Sequence, residues 1–163
     1  GEARIFYDPA MAVNFRTLRG RLSDIFADID AAENDPAAPP IYVASTDVHD
    51  YFDGLHHSDA DKLGQLFHPQ AIYACGTEGS LIHMTMDQYL PMVAKRPSPA
   101  SRGEPRRDRI LSIEFAGPVT ALARVECAIG PKRFTDLLSF IKLDGRWRLI
   151  AKVFHFDLDP AAA

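Results

Sequence analysis

The sequence lacks long hydrophobic runs and an excess of positive charge. Its longest apolar run, Ala71–Cys75, is far shorter than the roughly 20 residues that cross a bilayer, so no membrane span is predicted. The net charge of -4 gives no basic excess, and neither nucleic acid nor an anionic membrane is expected as a partner. No segment at the beginning of the chain reads as a signal peptide, so a cytoplasmic location is the default expectation.

Cysteine is also scarce. Cys75 and Cys127 form no CxxC pair and have no companion histidines at zinc-ligand spacing, so no metal site is predicted. Both lie in apolar stretches, where a free thiol usually behaves as a small hydrophobic side chain. The chain has no GxGxxG, P-loop, GxSxG or HExxH motif, and no cofactor is expected.

The composition is that of a globular protein, with 163 residues, 47% of them hydrophobic and 25% charged. This length predicts one domain with a short addition. Apolar spacing predicts a helix over 10–33, and a proline-rich linker follows it. We therefore expect an N-terminal helical extension over 1–40, one domain over 41–157, and a tail over 158–163.

Within the domain, helical patterns precede strand patterns, which predicts an α+β fold. The capping-box sequence Ser58–Asp61 predicts the start of a short helix that carries Leu63, Leu66 and Phe67. Helices are also predicted over Val43–Leu55 and Met86–Lys95. Strands are predicted over Ala71–Cys75, Leu81–Thr85, Arg109–Phe115, Val119–Ile129, Arg133–Leu143 and Arg146–Phe156.

Short turns predict the register of the last strands. Asp144-Gly145 is a strong two-residue hairpin turn, which places Phe140 opposite Leu149. Continued without interruption, this register places Asp136 opposite Val153 and Phe134 opposite His155.

The two preceding turns extend this register. A two-residue loop at Gly130-Pro131 places Val125 opposite Asp136. A bulged three-residue turn, with Gly117 at positive φ, would put Leu111, Ile113 and Phe115 on the inner face.

The predicted sheet is curved, and its inner face is apolar except for Asp136 and His155. Its outer face mixes apolar with charged residues, including Leu137, Ile150 and Lys152. Such a mixture is too apolar for free solvent and predicts a homodimer through the outer sheet face.

The stretch from Tyr51 to His155 resembles the nuclear-transport-factor-2-like (NTF2-like) superfamily, within it the SnoaL-like branch labelled lumazine-binding. The resemblance rests on four motifs: Tyr51-Phe52-Asp53-Gly54 with Asp59, Leu66–Ala71, Arg109–Ile113, and Phe134–Asp136 continuing through Lys142–Trp147 to Lys152–His155. It implies a cone in which a strongly bent sheet wraps around helices, with dimerisation through the outer face. Gln70 departs from the aspartate expected there, and the first 40 residues have no counterpart.

This fold hosts isomerases, dehydratases, cyclases, hydrolases and binding modules, so the resemblance does not determine activity. We expect a pocket for a small apolar or aromatic ligand. Two functions remain open: cofactor-independent acid–base catalysis, and a non-catalytic ligand-binding or dimerisation module. No lumazine-specific residue is recognisable, so lumazine is not predicted as the ligand.

Asp136 is the main catalytic candidate, because a carboxylate on an apolar concave face has the setting of a general base. It could instead accept structural hydrogen bonds. His155 is predicted to form a dyad with Asp136, and His83 to donate a proton or hydrogen bond, although each also fits an ordinary strand residue. The predicted ligand-binding residues are Tyr73, Phe134, Phe140, Trp147 and Phe67.

Overall fold

The computed structural model of the protein describes residues 40–159, with side chains from residue 46 onward. The chain divides into two units, Gly1–Val43 and Ala44–Ala163, and the sheet belongs to the second. The predicted helix over 10–33 and almost all of the predicted linker lie outside the described residues. Those expectations, and the predicted domain boundaries, stay predictions.

Helix α1 covers Pro40–His57, so it begins three residues before the predicted start. A proline fits the first position of a helix because its missing N–H would have no partner there. One face of α1 is buried, as the apolar spacing predicted, through Val48, Tyr51, Phe52 and Leu55.

Helix α2 covers Ala60–Leu66, and its N-cap differs from the prediction. Asp59, not Ser58, caps the helix by accepting a hydrogen bond from the Lys62 amide at 2.9 Å. The predicted capping box is therefore wrong by one residue. Ser58 instead adopts a φ of 52° in the turn and accepts a hydrogen bond from Arg96. Helix α3 covers Met86–Lys95, the predicted bounds, with Pro91 inside it.

The strands form one six-stranded sheet in the order β2-β1-β6-β5-β4-β3. Neighbouring strands are antiparallel except β1 and β6, which are parallel. The α+β prediction is confirmed, and β1 and β2 extend the predicted four-stranded sheet at the β6 side. β1 is longer than predicted, and Phe67, predicted in the preceding helix, is its first residue. The strands are β1 Phe67–Cys75, β2 Ile82–Thr85, β3 Arg109–Phe115, β4 Thr120–Ile129, β5 Lys132–Leu143 and β6 Arg146–Leu158.

The predicted register is confirmed close to the turns. Leu143 pairs with Arg146 and Phe140 with Leu149 across the Asp144-Gly145 hairpin. Val125 lies opposite Asp136, as the Gly130-Pro131 loop predicted. These pairs place Asp136 on the inner face, where it is completely buried.

Beyond Leu149 the predicted register is wrong, because β6 contains a bulge. Phe140 pairs with Leu149 and Ser139 with Ala151, which leaves Ile150 as an extra residue. Since successive strand residues point to opposite faces, one extra residue exchanges the faces of everything that follows. Asp136 consequently pairs with Phe154 instead of Val153, and Phe134 with Phe156 instead of His155.

A second irregularity affects β3. Its pairing with β4 shifts between Ile110 and Ser112. Ile113 and Phe115 lie opposite Ala123 and Ala121, on the inner face as predicted. Leu111 is at the irregularity and is 38% exposed, so its predicted inner position is wrong. Gly117 has the predicted positive φ, 80°, but the predicted three-residue turn is wrong, because four residues separate the end of β3 at Phe115 from the beginning of β4 at Thr120.

The core lies between the inner face of the sheet and the helices. Aromatic rings connect the layers: Phe67 of β1 lies 6.4 Å from Tyr51 of α1 and 5.6 Å from Tyr89 of α3, measured between centroids. Such pairs stabilise by about 0.5–1.5 kcal/mol beyond the area that they bury. In the described part of the chain, no helix is long and apolar enough to cross a membrane.

Candidate functional site

Three polar side chains meet inside this apolar core. The Tyr51 hydroxyl donates to Asp136 Oδ2 at 2.6 Å and accepts a hydrogen bond from Lys152 Nζ at 2.6 Å. Lys152 Nζ also lies 3.2 Å from Asp136 Oδ2. Tyr51 and Asp136 are 0% exposed and Lys152 is 3% exposed. We call these three residues the buried cluster.

Each member of the buried cluster comes from a different element. Tyr51 belongs to the buried face of α1, and Asp136 is on the inner face of β5. Lys152 follows the bulge in β6, which turns its side chain from the predicted outer face to the inner face. The cluster therefore exists only because the Ile150 bulge changes which residues of β6 point inward.

Aromatic rings surround the Lys152 ammonium group. Its Nζ lies 4.8 Å from the ring centroid of Phe154, and three further centroids lie within 5.5 Å: those of Tyr51, Phe134 and Tyr73. A cation over aromatic faces is stabilised by about 0.5–2 kcal/mol, more when it is desolvated. The rings and the Asp136 carboxylate together compensate for the loss of water around the charge.

The electrostatics of the cluster keep its donors protonated. Burial is the largest single influence and lowers the pKa of Lys152, but the Asp136 carboxylate, together with smaller contributions from Tyr89, Cys127 and Tyr73, outweighs it, and the net direction is upward. Burial, with the Asp136 carboxylate second, raises the pKa of Tyr51 well above its ordinary value. Near neutral pH, Lys152 thus carries a positive charge and Tyr51 a hydroxyl proton.

The two oxygens of Asp136 differ. Oδ2 accepts from Tyr51, contacts Lys152, and accepts a long hydrogen bond from the Cys127 thiol at 3.7 Å. Oδ1 is equally buried, yet it has no hydrogen-bond partner among residues 46–159. A buried carboxylate oxygen without a donor is uncommon and calls for a functional or structural explanation.

Several predicted ligand-binding residues lie around the buried cluster. Tyr73 and Phe134 are two of the rings around Lys152, and Phe67 contacts Tyr51. Burial raises the pKa of Tyr73 to about 12, and Lys152 partly opposes this rise. Phe140 and Trp147 are also buried, but Trp147 contacts Phe115 instead of the cluster.

The two predicted catalytic histidines lie elsewhere. The bulge turns His155 to the opposite face from Asp136, where its Nδ1 lies 2.9 Å from Thr77 Oγ1 and its Nε2 3.3 Å from Asp157 Oδ1. The predicted Asp136–His155 pair does not form. His83 pairs with Ala74 across β1 and β2 and is exposed. The structure therefore brings neither histidine to the buried carboxylate.

Sequence reasoning missed the roles of Tyr51 and Lys152, although β6 contains a signal for Lys152. Its large apolar residues occupy odd positions at Trp147 and Leu149 but even positions at Phe154 and Phe156. All four are buried, which requires one extra residue between the two pairs. Among residues 46–159, no three His, Cys, Asp or Glu side chains come together as a metal-binding group.

Comparison with known proteins gives the family. The family model described as "Putative lumazine-binding" matches residues 42–155. The chain belongs to this family. The match covers all three members of the buried cluster, and the resemblance noted in the sequence is confirmed.

Solved structures show the same fold. Three similar structures are NTF2-like proteins of unknown function from Silicibacter pomeroyi, Shewanella baltica and Methylobacillus flagellatus. Their TM-scores are 0.65, 0.63 and 0.61, at 23%, 21% and 25% sequence identity. Each alignment covers 72% of this chain and 95%, 93% and 91% of the respective relative. The NTF2-like fold is thereby established.

A shorter match connects the chain to a named enzyme, aldolase FrzH of Cladobotryum sp. The two sequences are 38% identical over 40 residues, which are 23% of this chain and 32% of the aldolase. The match thus spans about a third of that relative.

Proposed function

We propose that the protein binds a small carbonyl compound and moves a proton at the carbon beside the carbonyl, with Asp136 as the base. The observation that carries this proposal is the unpartnered Oδ1 of a fully buried carboxylate whose Oδ2 is held by Tyr51 and Lys152. A base of this kind needs one oxygen directed at the substrate and a scaffold that keeps it in place.

In the proposed step, Asp136 Oδ1 takes a proton from the carbon next to the carbonyl. The C–H electron pair moves into the new C=C bond, and negative charge develops on the carbonyl oxygen, giving an enolate. Return of the proton to a different carbon is an isomerisation, and addition of the enolate to a second carbonyl is an aldol reaction. No oxidant or reductant is consumed.

Tyr51 and Lys152 are positioning residues in this proposal. They hold Oδ2, and the Lys152 charge balances that of the carboxylate. The partial match to an aldolase supports the reaction class, since aldol chemistry passes through the same proton abstraction.

A second candidate is a non-catalytic ligand-binding or dimerisation module. The complete burial of Tyr51 and Asp136 favours it, because a structural polar network in a core would show the same exposure. The two candidates differ in one measurable property. A base exchanges protons with a bound ketone, whereas a structural carboxylate does not.

The test is deuterium incorporation into methyl levulinate and cyclohexanone in D₂O, followed by NMR with the full chain. We expect exchange above the buffer rate, and a loss of about 10²–10⁴-fold in Asp136→Asn, the range that general-base catalysis contributes. Glu114→Gln, which removes an exposed carboxylate from β3 of the same sheet, is the matched control and should exchange normally.

Circular dichroism must show that each variant is folded. Tyr51→Phe offers a second measurement if Asp136→Asn does not fold, because it removes the hydroxyl and keeps the ring. It should slow exchange and change its pH profile. Exchange at the buffer rate in the folded wild type would contradict catalysis and favour the module.

A further inference from the structure

A cleft of about 240 Å³ opens beside the buried cluster. Its lining includes two arginines, Arg107 and Arg133, and two inner-face residues, Cys127 and Phe134. Cys127 also contacts Asp136 Oδ2 at 3.7 Å, and Phe134 is one of the rings around Lys152. Single side chains thus connect the cleft to the buried cluster.

The two arginines already hold a carboxylate. Arg133 donates to Asp159 Oδ2 from Nη2 at 2.9 Å and from Nε at 3.3 Å. Arg107 Nη1 lies 3.6 Å from the same oxygen. All three contacts go to one carboxylate oxygen, and hydrogen bonds of this kind between charged groups are stronger than those between neutral groups.

Two acidic residues, Glu126 and Asp157, also line the cleft. Glu126 is paired with Arg109 at 2.9 Å, and Asp157 lies 3.3 Å from His155. A ligand carboxylate that replaced Asp159 on the arginines would put one negative charge where another had been.

We propose that Arg107 and Arg133 bind the anionic group of the substrate, and that Asp159 of this chain occupies their site when no substrate is bound. This inference rests on the proposed function and names its substrate class, a small oxo acid. Phe134 and Asp136 are two residues apart on β5, a rise of roughly 7 Å. Phe134 lines the cleft, and a ligand held by the arginines would need to pass Phe134 and Cys127 to bring its carbonyl to Asp136.

The experiment compares levulinate, a keto acid, with methyl levulinate, the same ketone without the negative charge. Dissociation constants are measured by NMR titration of the full chain. We expect the wild type to bind the acid more tightly than the ester. Arg133→Gln should weaken levulinate binding about two- to fivefold, the effect of losing one exposed ion pair. The ester should be unaffected.

Asp159→Asn gives the opposite expectation, because it removes the internal competitor for the arginines. Levulinate should then bind about two- to fivefold more tightly. Arg146→Gln is the matched control, since this exposed arginine at the beginning of β6 is absent from the cleft lining. It should leave both dissociation constants unchanged.

Equal affinity of the wild type for acid and ester would overturn the inference. So would levulinate affinities that neither Arg133→Gln nor Asp159→Asn changes, or the absence of levulinate binding to Asp159→Asn. The proposed function is tested separately, by Asp136-dependent exchange into the neutral ester. That exchange can persist when the arginine site fails.

Discussion

Removing the charge of Lys152 tests whether the buried cluster exists as described. In Lys152→Met, an apolar side chain of similar length leaves the Asp136 carboxylate in the core without its counter-charge. The side chains of Lys152 and Asp136 are 4% and 0% exposed, so solvent does not screen their interaction. Breaking such a pair costs about 3–5 kcal/mol. Tyr51 and Cys127 still donate to the carboxylate, which favours the lower end of that range.

The assay is urea unfolding followed by circular dichroism, with thermal unfolding alongside it. A loss of about 3 kcal/mol would be a large part of the 5–15 kcal/mol typical of folded domains. It corresponds to a fall in Tm of about 6–12 °C at this chain length. Glu126→Gln, which breaks the exposed pair with Arg109, is the matched control and should cost no more than about 1 kcal/mol.

The double variant Asp136→Asn/Lys152→Met distinguishes a true pair from two independent effects. Because both charges leave the core together, it should be more stable than the sum of the single changes implies, by about 2 kcal/mol or more. Additive losses, or single losses no larger than the Glu126→Gln control, would refute the structural reasoning.

Three further outcomes are expected. We propose that the protein forms a homodimer through the outer sheet face. Leu137→Glu, at an outer-face residue that is 41% exposed, should therefore give monomers in sedimentation at micromolar concentration, whereas the control Leu81→Glu should leave the dimer intact. A monomeric wild type would contradict this proposal. Gly54→Ala should destabilise the protein by about 1–3 kcal/mol, because the new Cβ would lie 2.6 Å from Leu63 Cδ2. Gly64→Ala, whose Cβ would make only an ordinary contact at 3.4 Å, should stabilise the protein by about 0.5–1 kcal/mol. Equal effects of the two variants in urea unfolding would contradict the described packing of Gly54 against Leu63. Burial raises the pKa of three tyrosines, so absorbance should show them still un-ionised, while the protein is folded, at the pH of about 10 where an exposed tyrosine ionises. These tyrosines contribute fully to stability below about pH 10, the pKa of tyrosine in the unfolded chain, and the contribution is lost as the pH rises towards their pKa values in the folded protein. Ionisation of all five tyrosines near pH 10 in the folded protein would contradict this prediction. The three are Tyr51, Tyr73 and Tyr89.

Local sequence was sufficient for most of the fold. The bounds of α3 and β3 match the prediction, because capping residues and turn residues mark their ends. The pairing of Phe140 with Leu149 also followed from one Asp-Gly turn, whose geometry depends on two residues alone. The position of Asp136 on the buried face is likewise determined by the sequence, through the loop at Gly130-Pro131.

The partner of Asp136 was decided by tertiary structure. A bulge depends on how a long strand curves over the helices and pairs with two neighbours. The change from odd to even buried positions along β6 indicates an extra residue, but the sequence does not show that Ile150 is that residue. The bulge exchanged His155 for Lys152 beside the carboxylate, which changed the predicted Asp–His dyad into a Tyr–Lys–Asp cluster. Tyr51 joins that cluster from 85 residues away in the chain, a contact that only packing of α1 on the sheet creates. The sequence by itself determined which residues are buried near the turns, and the curvature of the folded sheet determined which of them meet.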